Sequence, residues 1–407
     1  MMDKKTEIRN IMLSNIIFCF AIAVCTYQGV VRSYNSTMLA LSYRYGFTSR
    51  SLLGSIYHLL NDILPINMMD YSVVLVFAVI VTACFYALLF YFMYFALKRC
   101  QEEYFKPLVF ILFLLNVVTV ATFTSSYNFF RVDLFMMAVA IISAIVMIKD
   151  KAVWMMLPIS CIGVMFHQGF VFMYFNIALV LLICRFFDGD KKAKIKYGVV
   201  FALTFAICSG LFLWFELFSR TNGAAIINDV LADARAVSLD GHYHSTLLQH
   251  EVLGVDLAED EWEWHKMNIM QMGFFVVLSL PWIWIAIDFF KGIFKGVNSR
   301  ADKIKYFFVA AGALTMLPDY LLKIDYGRWV MSTIAYYAIV IVSLVAMGDL
   351  FICKRLLETY EKYKSKSWSL LLFVYPIMFI PFNDVDIDGF MQQLSAWLNG
   401  IVGFFSF

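Results

Sequence analysis

Long apolar runs separated by short charged stretches make up most of this chain. Nine of them, at about 11–31, 73–97, 108–124, 131–148, 198–217, 272–290, 306–322, 329–348 and 368–383, match one bilayer crossing, which takes about 20 apolar residues. A tenth run, Ala152 to Phe187, is too long for one crossing: as a single helix it would measure about 54 Å against a hydrocarbon core of about 30 Å. Both its flanks are basic, KDK before and RFFDGDKKAKIK after. Basic flanks stay on the cytoplasmic side, so the run is expected to go out and come back. The turn is expected inside VMFHQGFVFMYF, at His167-Gln168-Gly169, and it places His167 at depth, facing outward. The reading is an all-α polytopic membrane protein with about 11 transmembrane helices, N-terminus inside and C-terminus outside.

Two segments carry helical periodicity without the length to cross. In the first outer loop, 32–72, Leu52, Leu53, Ile56, Leu59, Leu60, Ile63 and Leu64 line one side, and Ser55, His58 and Asp62 lie on the other. This predicts an amphipathic helix lying on the outer surface. Phe390, Met391, Leu394, Trp397, Leu398, Ile401 and Phe405 predict a second such helix within 388–407. The largest outer loop is expected at 218–271, and residues 1–407 form a single integral membrane domain.

Composition agrees: 62% of residues are hydrophobic and 15% charged, more apolar surface than a soluble chain of this length can bury. The apolar stretch after the basic MMDKKTEIRN is too long for a signal-peptide core and lacks a clear cleavage site. All eight cysteines fall in predicted helices or inner loops, so no structural disulfide is expected. These features suit a bacterial inner membrane.

Charge changes the picture further. The topology puts 23 Lys and Arg inside and 9 outside; inside there are 18 Lys and 5 Arg, outside only 2 Lys (266, 323) against 7 Arg (32, 44, 50, 131, 220, 235, 328). The positive-inside rule does not distinguish lysine from arginine, so it does not account for that reversal. A guanidinium binds phosphate or carboxylate with two parallel hydrogen bonds, which an ammonium cannot do. Outer arginines therefore point to an anionic ligand at that face, a lipid pyrophosphate being the natural candidate; pairing with carboxylates or headgroups is the competing explanation. Arg131 and Arg328 stand out because each begins a predicted transmembrane helix beside a carboxylate, Asp133 and Asp325.

Other motifs carry less. HYHSTLLQHE holds His242, His244, His250 and Glu251 without a closed zinc ligand set, and the loop opening at Asp384, Asp386 and Asp388 has Ser395 where a calcium loop needs glutamate. Metal and cofactor are therefore expected to be none. No P-loop or serine-hydrolase elbow is present, and the basic patches are inner loops, with nothing to bind nucleic acid.

One arrangement resembles a known family. Asn128–Arg131 at an outer helix start is followed by one helix, a short basic inner turn, a short helix and Phe166-His167 at an outer corner; GRWVMSTIAYY comes late in the chain. This is similar to Wzy-type polysaccharide polymerases, in particular the EpsG-like branch. The resemblance covers about 60 residues and an echo near the end. The first outer loop reads YRYGFTSRSLLGSIYHLL where such chains carry a Gly-Thr-Asp-type motif.

The resemblance implies a glycosyltransferase C-like membrane fold. It also implies a polyprenyl-pyrophosphate-linked glycan as donor and acceptor, inverting transfer, no required metal, and a chain-length regulator and membrane lipids as partners. Arg131, Arg328 and Arg235 would hold the pyrophosphate, with Arg44 and Arg50 serving it from the first outer loop and Asn128 beside Arg131. His167 would orient the acceptor, contact phosphate or act as base; Asp325 and Asp133 are rival bases. The alternatives are an O-antigen ligase or other lipid-linked-sugar glycosyltransferase, and a flippase for lipid-linked glycans, which would be expected to show two similar halves. An acyltransferase would want its histidine on the cytoplasmic side.

Overall fold

The structure, a computed structural model, describes residues 4–366 except 28, 125–127, 219–222, 254–276, 278–279 and 319–325. All regular structure among the described residues is helical. In chain order the helices are α1 (Lys4–Thr26), α2 (Ser33–Thr37), α3 (Ser51–Ile63), α4 (Tyr71–Arg99), α5 (Phe105–Thr124), α6 (Val132–Lys149), α7 (Met156–Phe166), α8 (Phe170–Met173) and α9 (Phe175–Asp188). They continue with α10 (Lys191–Leu217), α11 (Gly223–Ala236), α12 (Ser245–Leu253), α13 (residues 280–296), α14 (Arg300–Ala311), α15 (Tyr326–Met347) and α16 (Leu350–Tyr363).

Six helices among the described residues are long and apolar enough to cross a membrane: α1, α4, α5 with its preceding 3₁₀ turn, α6, α10 and Arg328–Met347 of α15. They coincide with six of the expected crossings, and the chain is a multi-pass membrane protein. Burial sorts them into two groups. In α5, α6 and α15 about 70% of the apolar window is buried (72%, 72% and 67%), whereas in α1, α4 and α10 the share is 22–28%. The first group forms the centre, α15 packing on α5 and α6, with α9 against α6 and α15; the second presents its apolar residues outward, as lipid-facing helices do. Helix ends follow local chemistry. Asp70 caps α4 by accepting from Ser72 N–H (2.8 Å), and Asp190 caps α10 by accepting from Ala193 N–H (2.8 Å). Lys98 and Arg99 sit at the negative C-terminal end of α4.

The long run 152–187 is broken at His167-Gln168-Gly169. His167 leaves the helix in an extended conformation (φ −166°, ψ 130°). The chain then returns: Arg185 near the end of α9 donates to Met147 O at the end of α6 (2.9 Å), close in sequence to where the run departs. The arms α7 and α9 have 11 and 14 residues, about 17 and 21 Å at 1.5 Å per residue, so the turn lies short of a full crossing.

The contacts between helix ends divide the molecule into two poles. At the basic pole Lys4 donates to Cys100 O (2.6 Å), Arg99 to Ile148 O, and Lys196 pairs with Asp150 (3.2 Å). The same pole holds a buried ammonium. Lys305 of α14 donates to both oxygens of Asp188 (2.7 and 2.8 Å) and to Asp349 (2.6 Å), and Asp349 caps α16 through Ile352 N–H. At the other pole Val31 N–H donates to Tyr71 Oη (2.9 Å) and Asn35 to Phe129 O (2.9 Å).

A cap covers this second pole, built from two segments far apart in sequence. The chain from Ser33 to Ile63 packs on α11 and α12: Ser36 Oγ meets Ser238 Oγ (3.0 Å), His244 N–H donates to Thr37 Oγ1 (2.9 Å), and Tyr45 Oη donates to Asp233 (2.7 Å). Gly54 of α3 lies flush against Leu41 O, where a Cβ would collide with the carbonyl.

The helix expected in the first loop is present as α3: Leu53, Tyr57 and His58 are buried, while Leu59 and Ile63 are 57% and 68% exposed. His58 faces Asp233 of α11, and Asp62 pairs with Arg44 at the surface. The described part of the predicted helix 306–322 is the end of α14, a 3₁₀ turn at Gly312–Met316, and helix again at 317–318; residues 319–322 lie outside the described residues. The turn is held from outside: Asn176 donates to Gly312 O and to Thr315 Oγ1 (2.9 Å each), and Thr315 donates to Phe172 O (3.0 Å). Helix α13 runs to residue 296, past the expected end at 290, so Lys291 and Lys295 lie on a helix. The predicted helices at 368–383 and 388–407 and residues 254–271 of the expected loop 218–271 lie outside the described residues.

Gly312 offers a direct check on this packing. A Cβ there would collide with Tyr336 Oη, which donates to Val309 O (2.9 Å). Gly312→Ala is expected to cost about 1–3 kcal/mol, and adding Tyr336→Leu, which removes both the oxygen and the ring carbons the new Cβ would meet, should recover part of it. Thermal unfolding of the purified protein reads both; a wild-type midpoint for Gly312→Ala would contradict the packing.

Candidate functional site

At the capped pole the sequence brings Arg131 and Arg328 to the starts of two helices, and the fold brings those helices together. Arg131 is the N-cap of α6 and Asp133 lies in its first turn. Arg328 lies in the first turn of α15. Arg131 Nε stands 3.0 Å from Asp133 Oδ2, and Arg328 Nε donates to Asp133 Oδ1 at 2.9 Å. One carboxylate thus holds two guanidiniums, one per oxygen. All three side chains are at most 10% exposed. Together they carry one net positive charge in a poorly solvated place, where it acts more strongly than in water.

Asn128 Oδ1 accepts from Arg131 Nη1 (3.3 Å) and fixes its other side. The three residues line a small recess of about 10 Å³, room for about one water, shared with Asn128, Thr122, Phe123, Met331 and Tyr174. Tyr174 is the N-cap of α9. The starts of α6, α9 and α15 therefore converge on one recess. Each helix start bears roughly half a positive charge, and such ends bind anions. Both arginines meet Asp133 through Nε. The charges and helix ends suit an anion, and one larger than a water enters only if the walls of the recess move apart.

The other proposed residues lie elsewhere. His167 is buried at the hairpin corner, and its Nδ1 accepts from Gly169 N–H (2.8 Å), which puts the proton of a neutral imidazole on Nε2. It does not line the recess. Arg44 pairs with Asp62 and approaches His58 Nδ1 (3.4 Å); Arg50 pairs with Glu251 (2.8 Å); Arg235 lies over the Tyr243 ring (5.8 Å). These three staple the cap, and the structure does not bring them to the recess. Asp325 lies outside the described residues. Tyr174, Thr122 and Met331 escaped the sequence reading; only the kink at Tyr174 that starts α9 had a trace in sequence, as part of the broken run.

Two histidines in the cap are held neutral. Burial pushes His58 below the usual imidazole value, with Asp233 acting upward and Arg44 downward beside it; Asp62 and Tyr45 complete its surroundings. Burial likewise lowers His244, whose Nδ1 accepts from Leu247 N–H (3.1 Å) at the start of α12. A base with a lowered folded pKa contributes stability above its unfolded value, near 6.5, and loses it as pH falls through the folded one. Hydrogen exchange in residues 33–63 and 223–253 is therefore expected to speed up on acidification below about pH 6.5, beyond the intrinsic rate change. The double variant His58→Gln, His244→Gln should flatten that response; equal protection at both pH values in the wild type would refute it.

Comparison with protein-family models, with curated proteins and with solved structures finds no match.

Proposed function

We propose that this protein joins polyprenyl-pyrophosphate-linked oligosaccharides into a longer glycan, as an inverting glycosyltransferase of the bacterial inner membrane acting at its outer face. The observation that carries the reading is the pair Arg131 and Arg328 on Asp133, in a recess where three helix starts converge. In the proposed step an acceptor hydroxyl oxygen attacks the anomeric carbon of the donor glycan. The bond from that carbon to the pyrophosphate oxygen breaks, and its electron pair leaves on the pyrophosphate. The hydroxyl proton goes to a base, for which His167 and Asp325 are the candidates; both oxygens of Asp133 are occupied in holding arginine. Fixed guanidiniums and helix dipoles stabilise the charge that grows on the leaving group without reorganising.

The test is mass spectrometry of lipids that co-purify with the protein from its native glycan background, for wild type, Arg131→Ala and Arg328→Ala. A polyprenyl-pyrophosphate glycan in the wild type that both variants lose supports the reading. Equal retention in the variants, or none in the wild type, removes the arginine site as donor site and favours transport.

A further inference from the structure

We infer that Tyr34 is a positioning residue for Arg131 and the link by which the cap sets the anion site; this rests on the pyrophosphate reading of the recess. The Arg131 guanidinium carbon lies 5.3 Å from the centre of the Tyr34 ring, within range of a cation–π contact. Tyr34 is on α2, in the cap. It also meets the His244 imidazole, ring centres 5.3 Å apart and planes at 87°. Its neighbour Asn35 donates to Phe129 O (2.9 Å), in the turn just before Arg131. The His244 backbone N–H is bound to Thr37 Oγ1 of α2 (2.9 Å).

The ring thus contacts both the second outer segment and the arginine. The contacts of Arg131 divide the work. Asp133 faces Nε as a charge contact at 3.0 Å and Asn128 accepts from Nη1. The Tyr34 ring adds a third contact, from a different element, that helps to fix the orientation of the guanidinium. A fork that must meet two phosphate oxygens at once depends on that orientation. The aromatic face does this without adding a hydrogen-bond acceptor that would compete with the anion. The cap is then part of the site: α2 and α12 hold the ring, and the ring holds the arginine.

The test uses the full-length protein in detergent and inorganic pyrophosphate as the probe, with affinity read by calorimetry. Tyr34→Leu is expected to weaken binding about 3- to 30-fold, the range for losing a cation–π contact. Tyr34→Phe, which keeps the ring, should stay within about twofold of wild type. In an Arg131→Ala background Tyr34→Leu should leave the residual affinity unchanged, because its effect runs through Arg131. Tyr34→Leu binding like wild type overturns the inference while leaving the pyrophosphate reading standing. So does a further loss in the Arg131→Ala background, which marks Tyr34 as general cap packing. No binding by the wild type overturns both.

Discussion

Arg328→Ala is expected to lower glycan polymer formation by about 10²- to 10³-fold, the range for removing one preorganised donor to a developing anion, and Arg131→Ala by a similar factor. The fold should survive either change, because Asp133 keeps the second arginine: Arg131 at 3.0 Å in one case, Arg328 at 2.9 Å in the other. Arg328→Lys should rescue little, since an ammonium restores the charge and not the fork. Asp133→Ala makes the informative contrast. It leaves two guanidiniums side by side in a buried site and is expected to cost about 3–5 kcal/mol of stability, the loss seen when one member of a buried ion pair is removed. Polymer length in cells lacking the chromosomal copy, read with the thermal midpoint of each purified variant, separates the two kinds of loss. Arginine variants that polymerise within about tenfold of wild type would remove these residues from the transition state.

Lys305→Met is expected to be the most destabilising change at the basic pole, at about 3–5 kcal/mol. The Lys305 side chain is 4% exposed and serves two carboxylates from different elements, Asp188 at the end of α9 and Asp349 before α16. Asp349 matters more, being equally buried, whereas Asp188 is 45% exposed and is partly hydrated. Without the ammonium, Asp349 keeps Tyr306 Oη (2.8 Å) and Ile352 N–H (3.0 Å) but loses its counter-charge. Adding Asp349→Asn should therefore restore part of the loss by removing the stranded charge, while the amide oxygen still caps α16. Unfolding in detergent tests this, and a loss below about 1 kcal/mol for Lys305→Met would place the cluster among ordinary surface pairs.

Much of the architecture was legible along the chain because its cause is one-dimensional. A crossing needs a given length of apolar residues, so α1, α4, α5, α6, α10 and α15 were marked by hydropathy. The turn at His167–Gly169 followed from length and basic flanks alone. Arg131 and Arg328 were marked too, as costly charges at the edges of apolar runs. That they share Asp133 was not, because positions 131 and 328 meet only through the packing of α6 on α15.

Which residues of α3 the protein covers was not legible for a related reason. In water the apolar side of a helix points inward, but beside lipid both directions are apolar and periodicity alone does not say which side is covered. The deciding partners, Arg44 and Asp233, come from other elements, Asp233 from α11 more than 160 residues on. The same holds for the 3₁₀ turn at Gly312–Met316, whose Gly312 and Thr315 are bonded by Asn176 and the Phe172 carbonyl from distant segments. Sequence by itself determined where the chain enters and leaves an apolar medium and which charges it keeps at that boundary, since those costs are local. Which charges meet, and which side of each helix is covered, was decided by tertiary packing between segments that no local pattern connects.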